Sequence, residues 1–264
     1  IGDGQIVSDI TGLTIIDDFR SSDIKAGGQG APLAPLFHSF LFGDEEEIRC
    51  VLNIGGIGNI SIFKGGEVIA GYDTGPGNVL MDSWSMHNGI GAYDKNGDWA
   101  RSGKLNEPLL MSLLDQDNFI EKSHPKSTGT DYYNIDFIIR AIKECGQDIK
   151  PEDVQRTLLE FTAGSFAFIG EDNISMPIEE RSSWIAISGG GSKNKFLVER
   201  IEDLFYIMPG ELKTTEAWGV DSEWVEALGF AYLAFLRMNE ISVDLSKVTG
   251  SRSQILLGNI QKPN

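Results

Sequence analysis

The chain has 264 residues, of which 41% are hydrophobic and 23% are charged, and its formal net charge at pH 7 is −17. This length and balance are typical of a water-soluble globular protein with one large domain or two ordinary ones. The negative charge argues against nucleic acid or an anionic membrane surface as the main partner, because both attract clustered Lys and Arg side chains.

The cysteines and histidines are too scattered to predict a disulfide framework or a metal held by the protein. The segment DKNGDW at 94–99 lacks the glycine and the glutamate that a calcium loop needs, so it is predicted to be a solvated turn. No apolar run reaches the length of about 18 residues that spans a membrane, and no basic and apolar leader opens the sequence. These features predict a cytoplasmic protein.

Predicted strands and helices alternate along the first part of the chain. The run LTIIDDF at 13–19 predicts a strand, and residues 27–43 predict a glycine loop that leads into an apolar helix. After an acidic connector at 44–47, apolar runs separated by Gly-Gly turns predict a three-stranded meander over 48–75. A helix is expected next, over 79–87.

The second part of the chain predicts mostly helices. Three are expected at 105–122, 134–146 and 151–170, the last with Pro and acidic residues in its first turn. Residues 182–205 predict a strand, a glycine loop and a helix, and residues 221–238 predict a long amphipathic helix. A meander followed by alternating helices and strands favours an α/β fold with a mixed sheet covered by helices.

Asp73 lies where the last strand of the meander gives way to the turn DTGPGN. One interpretation is ordinary turn chemistry, in which the carboxylate accepts hydrogen bonds from free backbone N–H groups. The other is a functional carboxylate, since loops at strand ends often collect ligands. The turn alone leaves both interpretations open.

Two further glycine turns resemble ligand loops. NIGGIGN at 53–59 fits a β-hairpin, or a turn whose amides approach a phosphate. ISGGGSKN at 187–194 joins a strand to a helix, where free amides favour an anion. Neither matches the dinucleotide fingerprint or the Walker pattern. Together with DTGPGN they predict a nucleotide site at one edge of a sheet.

Six segments, in their order and spacing, resemble the anhydro-N-acetylmuramic acid kinase family of the sugar kinase and actin superfamily: DFRSSDIKAGGQGAPLAPLFH, LNIGGIGNIS, GYDTGPGNVLMD, YDKNGDWARSGKLN, HPKSTG and ISGGGSKNKFL. The resemblance covers nearly the whole chain. The phosphate loop near the N-terminus of family members has no counterpart in this sequence. The resemblance implies a ribonuclease H-like fold, with residues 1–45 as a remnant of a first domain and residues 46–264 as the C-terminal kinase domain.

The resemblance implies an ATP- and Mg²⁺-dependent enzyme for a small anhydro sugar. Such kinases add water to the sugar's 1,6-anhydro bridge while O6 takes a phosphoryl group, and Asp73 matches the base that activates the water. Arg20 matches a contact to the sugar's carboxylate, or else forms a surface ion pair. Glu226 matches a family glutamate on the sugar side of the active-site cleft. Otherwise it is an exposed carboxylate on a helix. Gln29 matches a ligand contact, or else packs between domains.

The resemblance also places residues of the glycine turns around the nucleotide: Gly55, Gly56, Asn59, Gly75, Gly77, Asn78, Gly189, Gly190, Gly191 and Asn194. The chain departs from the family pattern at Thr130 and Asp131, and at Ser222 and Glu223. Two alternatives therefore stay open, a kinase for another anhydro sugar such as levoglucosan, and a non-catalytic descendant that binds or assembles. A homodimer is left open as well.

Overall fold

The computed structural model describes residues 2–167, 184–204 and 211–264. The α-helices, in chain order, are α1 (Gly4–Thr11), α2 (Ser21–Lys25), α3 (Ala34–Phe42), α4 (Val79–His87), α5 (Asp98–Ser102), α6 (Glu107–Gln116), α7 (Ile135–Cys145), α8 (Pro151–Ala167), α9 (Lys195–Leu204) and α10 (Val225–Met238). The strands are β1 (Ile15–Asp17), β2 (Ile48–Ile54), β3 (Ile57–Lys64), β4 (Glu67–Pro76), β5 (Trp184–Ser188), β6 (Glu211–Thr214) and β7 (Asn259–Gln261).

The main sheet has five strands in the order β4-β3-β2-β5-β6. Strands β2, β3 and β4 form an antiparallel meander, while β5 runs parallel to β2 and β6 runs parallel to β5. This order, with one antiparallel strand inside an otherwise parallel sheet, is the ribonuclease H-like arrangement. The predicted α/β class, the mixed sheet and the meander are confirmed.

Helices cover both faces of the main sheet, because successive residues of a strand point to opposite faces. Along β2, Val51 packs in a cluster with Phe37 of α3 and Val225 of α10. Its neighbour Leu52 belongs to the larger core, which includes Leu158 of α8. One face is therefore covered by α3 and α10, and the other by α4 and α6 to α9.

A second, small sheet joins the two ends of the chain. β1 pairs with β7 in antiparallel register, with Ile15 opposite Gln261. The strand predicted at 13–19 is thus confirmed, but it lies outside the main sheet. The predicted division of the chain at residue 45 stays a prediction. Helix α3, on the N-terminal side of that division, packs against β3 and β4.

The helix predicted over 105–122 extends six residues too far at its C-terminal end, since α6 ends at Gln116. The Asp117 side chain accepts the N–H groups of Phe119 and Ile120 at 2.7 and 2.8 Å, and this turn replaces the helical hydrogen bonds. Helix α4 has its predicted bounds. Residues 168–170, 182–183 and 205 of other predicted elements lie outside the described residues. Every helix in the described part is too short or too polar to cross a bilayer.

Candidate active site

A row of polar residues crosses one end of the main sheet. In the strand register, Asp73 lies opposite Asn59, Asn59 opposite Asn53, and Asn53 opposite Ser188. Residues that are paired in this way project from the same face of a sheet. Asn53 lies two positions after Val51, so this is the face covered by α3 and α10. The register therefore brings Asp73 and the strand ends of both glycine loops to one edge and one face.

Asp73 is 6% exposed, and only one of its two carboxylate oxygens accepts hydrogen bonds. Its Oδ2 accepts the Oγ–H of Ser127 at 3.0 Å and the N–H of Thr128 at 2.9 Å. Its Oδ1 has no hydrogen-bond partner among the described residues and is not sealed from solvent. One oxygen is thus fixed in position, and the other is free to accept a proton.

Burial raises the pKa of Asp73, because desolvation disfavours the charged form. The hydrogen bonds from Thr128 and Ser127, and then the charges of Lys126 and Arg20, act in the opposite direction and lower that pKa. Burial is the largest of these influences, so the pKa of Asp73 lies above its usual range. A raised pKa is one of the features expected of a carboxylate that acts as a general base.

Lys126 is the buried cation beside this carboxylate. Its Nζ donates to the Ile120 carbonyl oxygen at 2.6 Å and lies 4.9 Å from the centre of the Phe119 ring. Burial lowers the pKa of Lys126 to about 8, although the charges of Asp117 and Asp73 act in the opposite direction. Lys126 therefore carries a charge at neutral pH that is sensitive to small changes around it.

The predicted sugar contacts Arg20 and Gln29 approach the same segment from the N-terminal part of the chain. The Gln29 Nε2 donates to the Pro125 carbonyl oxygen at 2.9 Å, and its backbone N–H donates to Thr249 at 3.0 Å. Gln29 therefore packs against the segment that borders the Asp73 site, and its role as a ligand contact stays a prediction. Arg20 is exposed and is close enough to lower the pKa of Asp73.

The first two glycine turns are tied to each other. The Gly77 N–H donates to the Gly56 carbonyl at 2.9 Å, and the Asn78 N–H donates to the Gly55 carbonyl at 2.8 Å. A Cβ at position 77 would lie 2.2 Å from the Gly55 oxygen, so only glycine fits. The N–H groups of Gly77 and Asn78 are used within the chain, and this fixes the start of α4 against the hairpin.

The third glycine turn packs on the end of β2. Gly189 has φ of +80°, and a Cβ there would lie 2.7 Å from the Asn53 Oδ1. A Cβ on Gly191 would lie 2.2 Å from Ile54 and 2.9 Å from the Asn78 side chain. The three predicted turns therefore meet at one place, with Asn78 between the second and the third.

A cavity of about 360 Å³ lies on the α3 and α10 side of Gly190. Asn53 and Gly55 line it from the sheet, and Glu226 lines it from α10. His38 also lines it, with its Nδ1 2.8 Å from the Ser61 Oγ, and burial lowers the pKa of this histidine to about 3. Glu226 is an exposed side chain on this cavity, next to the glycine turns.

A second cavity, of about 490 Å³, lies on the other side of Gly190, between the first turns of α4 and α9. Asn78 and Asp82 line it from α4, Asp94 from the segment before α5, and Asn194 from the start of α9. The Asn194 Oδ1 accepts the Leu197 N–H at 3.0 Å, so Asn194 also caps α9.

Some predicted residues line these cavities and others lie nearby. Gly55, Gly189 and Glu226 line the first cavity, Asn78 and Asn194 line the second, and Gly190 lines both. Several predicted residues line neither cavity: Arg20, Gln29, Gly56, Asn59, Asp73, Gly75, Gly77 and Gly191. Asn59 and Asp73 lie on the polar row, and Gly75 packs against Ser165 of α8.

Sequence reasoning missed the residues that hold Asp73. Ser127 and Thr128 lie within HPKSTG, a segment quoted for its resemblance, but no local pattern links them to a carboxylate 54 and 55 positions earlier. The prediction of a solvated turn at 94–99 is wrong for Asp94, which is 6% exposed. Both Asp94 oxygens accept backbone N–H groups at the start of α5, at 2.9 Å.

A sequence model of the anhydro-N-acetylmuramic acid kinase family matches residues 1–263. The anhydro-N-acetylmuramic acid kinase of Pasteurella multocida is 41% identical over 260 residues, which are 98% of this chain and 67% of that protein. The kinase of the same name from Aliivibrio fischeri is 40% identical over 264 residues, which are 100% of this chain and 70% of that protein.

Among solved structures, an activator of 2-hydroxyisocaproyl-CoA dehydratase from Clostridium difficile with bound ADPNP aligns with 79% of this chain and 66% of its own. At 14% identity and a TM-score of 0.41, that likeness supports no conclusion about this chain. The family match and the sequence relatives, by contrast, extend over the fold and the site described above. The chain belongs to the anhydro-N-acetylmuramic acid kinase family.

Proposed function

We propose that this chain is an ATP-dependent kinase that opens the 1,6-anhydro ring of anhydro-N-acetylmuramic acid with water and phosphorylates O6. Family membership supports the reaction and the substrate class. The observation that carries the proposal is the Asp73 carboxylate, which is held through Oδ2 and free at Oδ1. A carboxylate in that state can take a proton from a water molecule without losing its orientation.

In the proposed reaction the oxygen of water bonds to the anomeric carbon, and one of its protons passes to the Asp73 Oδ1. The bond between the anomeric carbon and the bridging oxygen breaks, and its electron pair stays on that oxygen, which becomes O6. O6 then bonds to the γ-phosphorus of ATP as ADP leaves. Because neutral water is a weak nucleophile, a general base at this point contributes roughly 10² to 10⁴ in rate.

The residues around Asp73 have a defined part in this mechanism. Ser127 and Thr128 hold Oδ2 and stabilise the ionised form, which burial alone would disfavour. The positive charge of the buried Lys126 also stabilises the ionised form of Asp73. After water has given up its proton, the neutral acid loses that stabilisation, so the proton is readily released and the base is restored.

Arg20, Gln29 and Glu226 are the proposed contacts to the sugar. The exposed Arg20 guanidinium can bind the lactyl carboxylate of the substrate through two parallel hydrogen bonds. Gln29 borders the Asp73 site through its bond to Pro125, and Glu226 faces the first cavity. These three side chains would orient the anhydro ring, and Asp73 would act on its anomeric carbon.

The glycine turns fit a nucleotide, because close backbone approach is what phosphates require. Gly189 and Gly191 pack so tightly on β2 that side chains there would collide with the strand. The Asn59 Oδ1 is buried next to Asp73 without a partner, a polar group that a ligand can satisfy. The cavities of about 360 and 490 Å³ are in the size range of small-molecule sites.

When bound, ATP supplies the phosphoryl group, and Mg²⁺ neutralises the charge that develops on it. We propose that Mg²⁺ is held mainly through phosphate oxygens and water, as is usual for this ion. No group of three or more acidic, His or Cys side chains that could hold a metal occurs in the described part of the chain. A cytoplasmic location and a homodimer are also proposed, and sedimentation of the purified chain tests the second.

The experiment is an end-point assay of the purified chain with ATP, Mg²⁺ and anhydro-N-acetylmuramic acid. We expect ADP to form together with a sugar whose mass has increased by one water and one phosphoryl group. Levoglucosan as the substrate, in parallel, tests the alternative sugar. Nucleotide and sugar binding without turnover would favour the non-catalytic descendant, and failure of the folded chain to bind either ligand would contradict the proposal.

A further inference from the structure

The second cavity contains a carboxylate with no partner. Asp82, in the first turn of α4, is partly buried at the cavity wall. Its carboxylate oxygens make no hydrogen bond or ion pair with any of the described residues. A buried carboxylate normally has donors, because removing it from water is costly. This one is positioned to receive them from a ligand.

Several other polar groups of the cavity are already engaged. The Asp94 oxygens accept the N–H groups of Trp99 and Ala100. The Asn194 Oδ1 caps α9, and Lys193 is ion-paired with Glu223. Of the two carboxylates that line the cavity, Asp82 is therefore the one that stays available where the first turns of α4 and α9 face each other.

The position of Asp82 relative to the glycine turns suggests which part of a ligand it meets. Asn78, at the start of α4, donates its N–H to the Gly55 carbonyl oxygen. Its Oδ1 would lie 2.9 Å from a Cβ built on Gly191. Asp82 is four residues later, about one helical turn or roughly 6 Å along the axis. A nucleotide with its phosphates at the turns would place its ribose at this distance, and its base towards the exposed ring of Tyr93.

We infer that the Asp82 carboxylate binds the 2′ and 3′ hydroxyl groups of the nucleotide ribose, an inference that rests on the function proposed above. A carboxylate has two oxygens and can accept one hydrogen bond from each of two neighbouring hydroxyls. Hydrogen bonds to a charged acceptor are stronger than those between neutral groups. Asp82 would thus select ribonucleotides over deoxyribonucleotides.

The test is calorimetric titration of the chain at pH 8 with three magnesium nucleotides: ATP, 2′-deoxy-ATP and 3′-deoxy-ATP. We expect each deoxynucleotide to bind about ten- to a hundredfold more weakly than ATP, the effect of one hydrogen bond to a charged group. Asp82→Asn should bind all three with similar, weak affinity. Asp98→Asn is the matched control, because Asp98 is an exposed carboxylate at the start of α5 that does not line the cavity.

Two outcomes would overturn the inference and leave the proposed function intact. One is equal affinity of the wild-type chain for ATP and both deoxynucleotides. The other is an Asp82→Asn variant that keeps the wild-type preference. The wild-type comparison is decisive even if the variant does not fold. If the folded wild-type chain binds none of the three nucleotides, the proposed function is contradicted and the inference with it.

Discussion

Asp23 and Asp73 are two buried aspartates with the same set of donors, one backbone N–H and one hydroxyl. Asp23 is 0% exposed, and it uses both oxygens: Oδ2 accepts the Gly30 N–H at 2.7 Å, and Oδ1 accepts the Thr249 Oγ–H at 2.7 Å. Asp73 receives both of its hydrogen bonds on Oδ2.

The difference shows that burial and the number of donors do not separate an anchoring carboxylate from a reactive one. What separates them is how the donors are shared between the two oxygens. Asp23 has each oxygen occupied and ties the loop before α3 to the C-terminal part of the chain. Asp73 keeps one oxygen free at an accessible edge of the sheet. The same substitution at the two positions should therefore have different effects.

The largest expected effect is on turnover in Asp73→Asn. The amide keeps the size of the carboxylate and one acceptor oxygen, but it cannot take a proton as a carboxylate does. Turnover should fall by roughly 10² to 10⁴, while nucleotide and sugar binding persist. The coupled rate of ring opening and phosphorylation, measured per folded molecule, tests this.

A capping role for Asp73 makes the opposite forecast. The Asn variant would then lose about 1 kcal/mol of stability and keep near-normal turnover. Melting curves recorded beside the rates distinguish the two roles. An active but destabilised variant would contradict the assignment of Asp73 as the general base.

Asp23→Asn is the matched change at the anchoring position, and its expected effect is on stability. One of the two donors, the Gly30 N–H or the Thr249 hydroxyl, would meet an NH₂ group in place of an oxygen. We expect a loss of about 1 to 3 kcal/mol in the free energy of unfolding. Urea denaturation measures that loss, and turnover per folded molecule should change little. If turnover per folded molecule fell as far in Asp23→Asn as in Asp73→Asn, the contrast between the two aspartates would be contradicted.

Ser127→Ala should remove one of the two hydrogen bonds that the Asp73 Oδ2 accepts. Without the hydroxyl, the pKa of Asp73 rises, because one of the groups that lowers it is gone. The acidic limb of the pH profile of kcat/KM should move to higher pH, with activity at high pH reduced by less than about tenfold.

Thr128→Ala is the control for the serine variant, since Thr128 holds Asp73 through its backbone N–H, which alanine keeps. The acidic limb of the Thr128→Ala profile should stay in place. A limb that does not move in Ser127→Ala would mean that the Ser127 hydroxyl does not tune this base.

The smallest expected effect concerns the partnerless Asp82. Burial, and then the charge of Asp94, raise the pKa of Asp82 from 3.8 to about 6. The folded state therefore binds this proton more tightly than the unfolded state. The resulting stabilisation is complete below pH 3.8 and is lost as the pH rises through about 6. Tyr93, Lys95 and Lys193 also face Asp82 across the cavity.

Asp82→Asn should consequently stabilise the chain at pH 8, by on the order of 1 kcal/mol after allowance for solvent screening. The advantage should shrink as the pH falls through 6. Melting temperatures of the wild-type chain and the variant at pH 8 and pH 5 measure this difference. A variant that is less stable at pH 8 would show that Asp82 has donors in the folded chain.

Much of the main sheet could be predicted because its signals are local. The bounds of α4 follow from the Gly-Pro-Gly turn before it and its run of apolar residues. Helix α6 was predicted too long, because the Asp117 side chain takes over the N–H groups that would have continued it. Strand β7 has three residues and no alternating pattern, and its partner is at the other end of the chain.

The site could be predicted only in part for the same reason. Asp73 comes just before a recognisable Gly-Pro-Gly sequence, although β4 continues into the predicted turn as far as Pro76, and the other two glycine loops stand at strand ends. Two features depend on how distant segments meet in three dimensions. One is the pair of hydrogen bonds from Ser127 and Thr128 to Asp73, and the other is the lack of a partner for the Asp82 carboxylate. Asp82 itself looks like any acidic residue in the first turn of a helix, where the helix dipole favours it.

The pairing of β1 with β7 has a consequence for the order of assembly. The Asp17 and Gln261 side chains bond across a separation of 244 residues. Closing so long a loop is slow, although its entropy cost rises only with the logarithm of its length. Strands β2 to β4 are neighbours in sequence and can form early. The segment that carries Arg20 would then dock late, so the ability to bind the sugar would report that folding is complete.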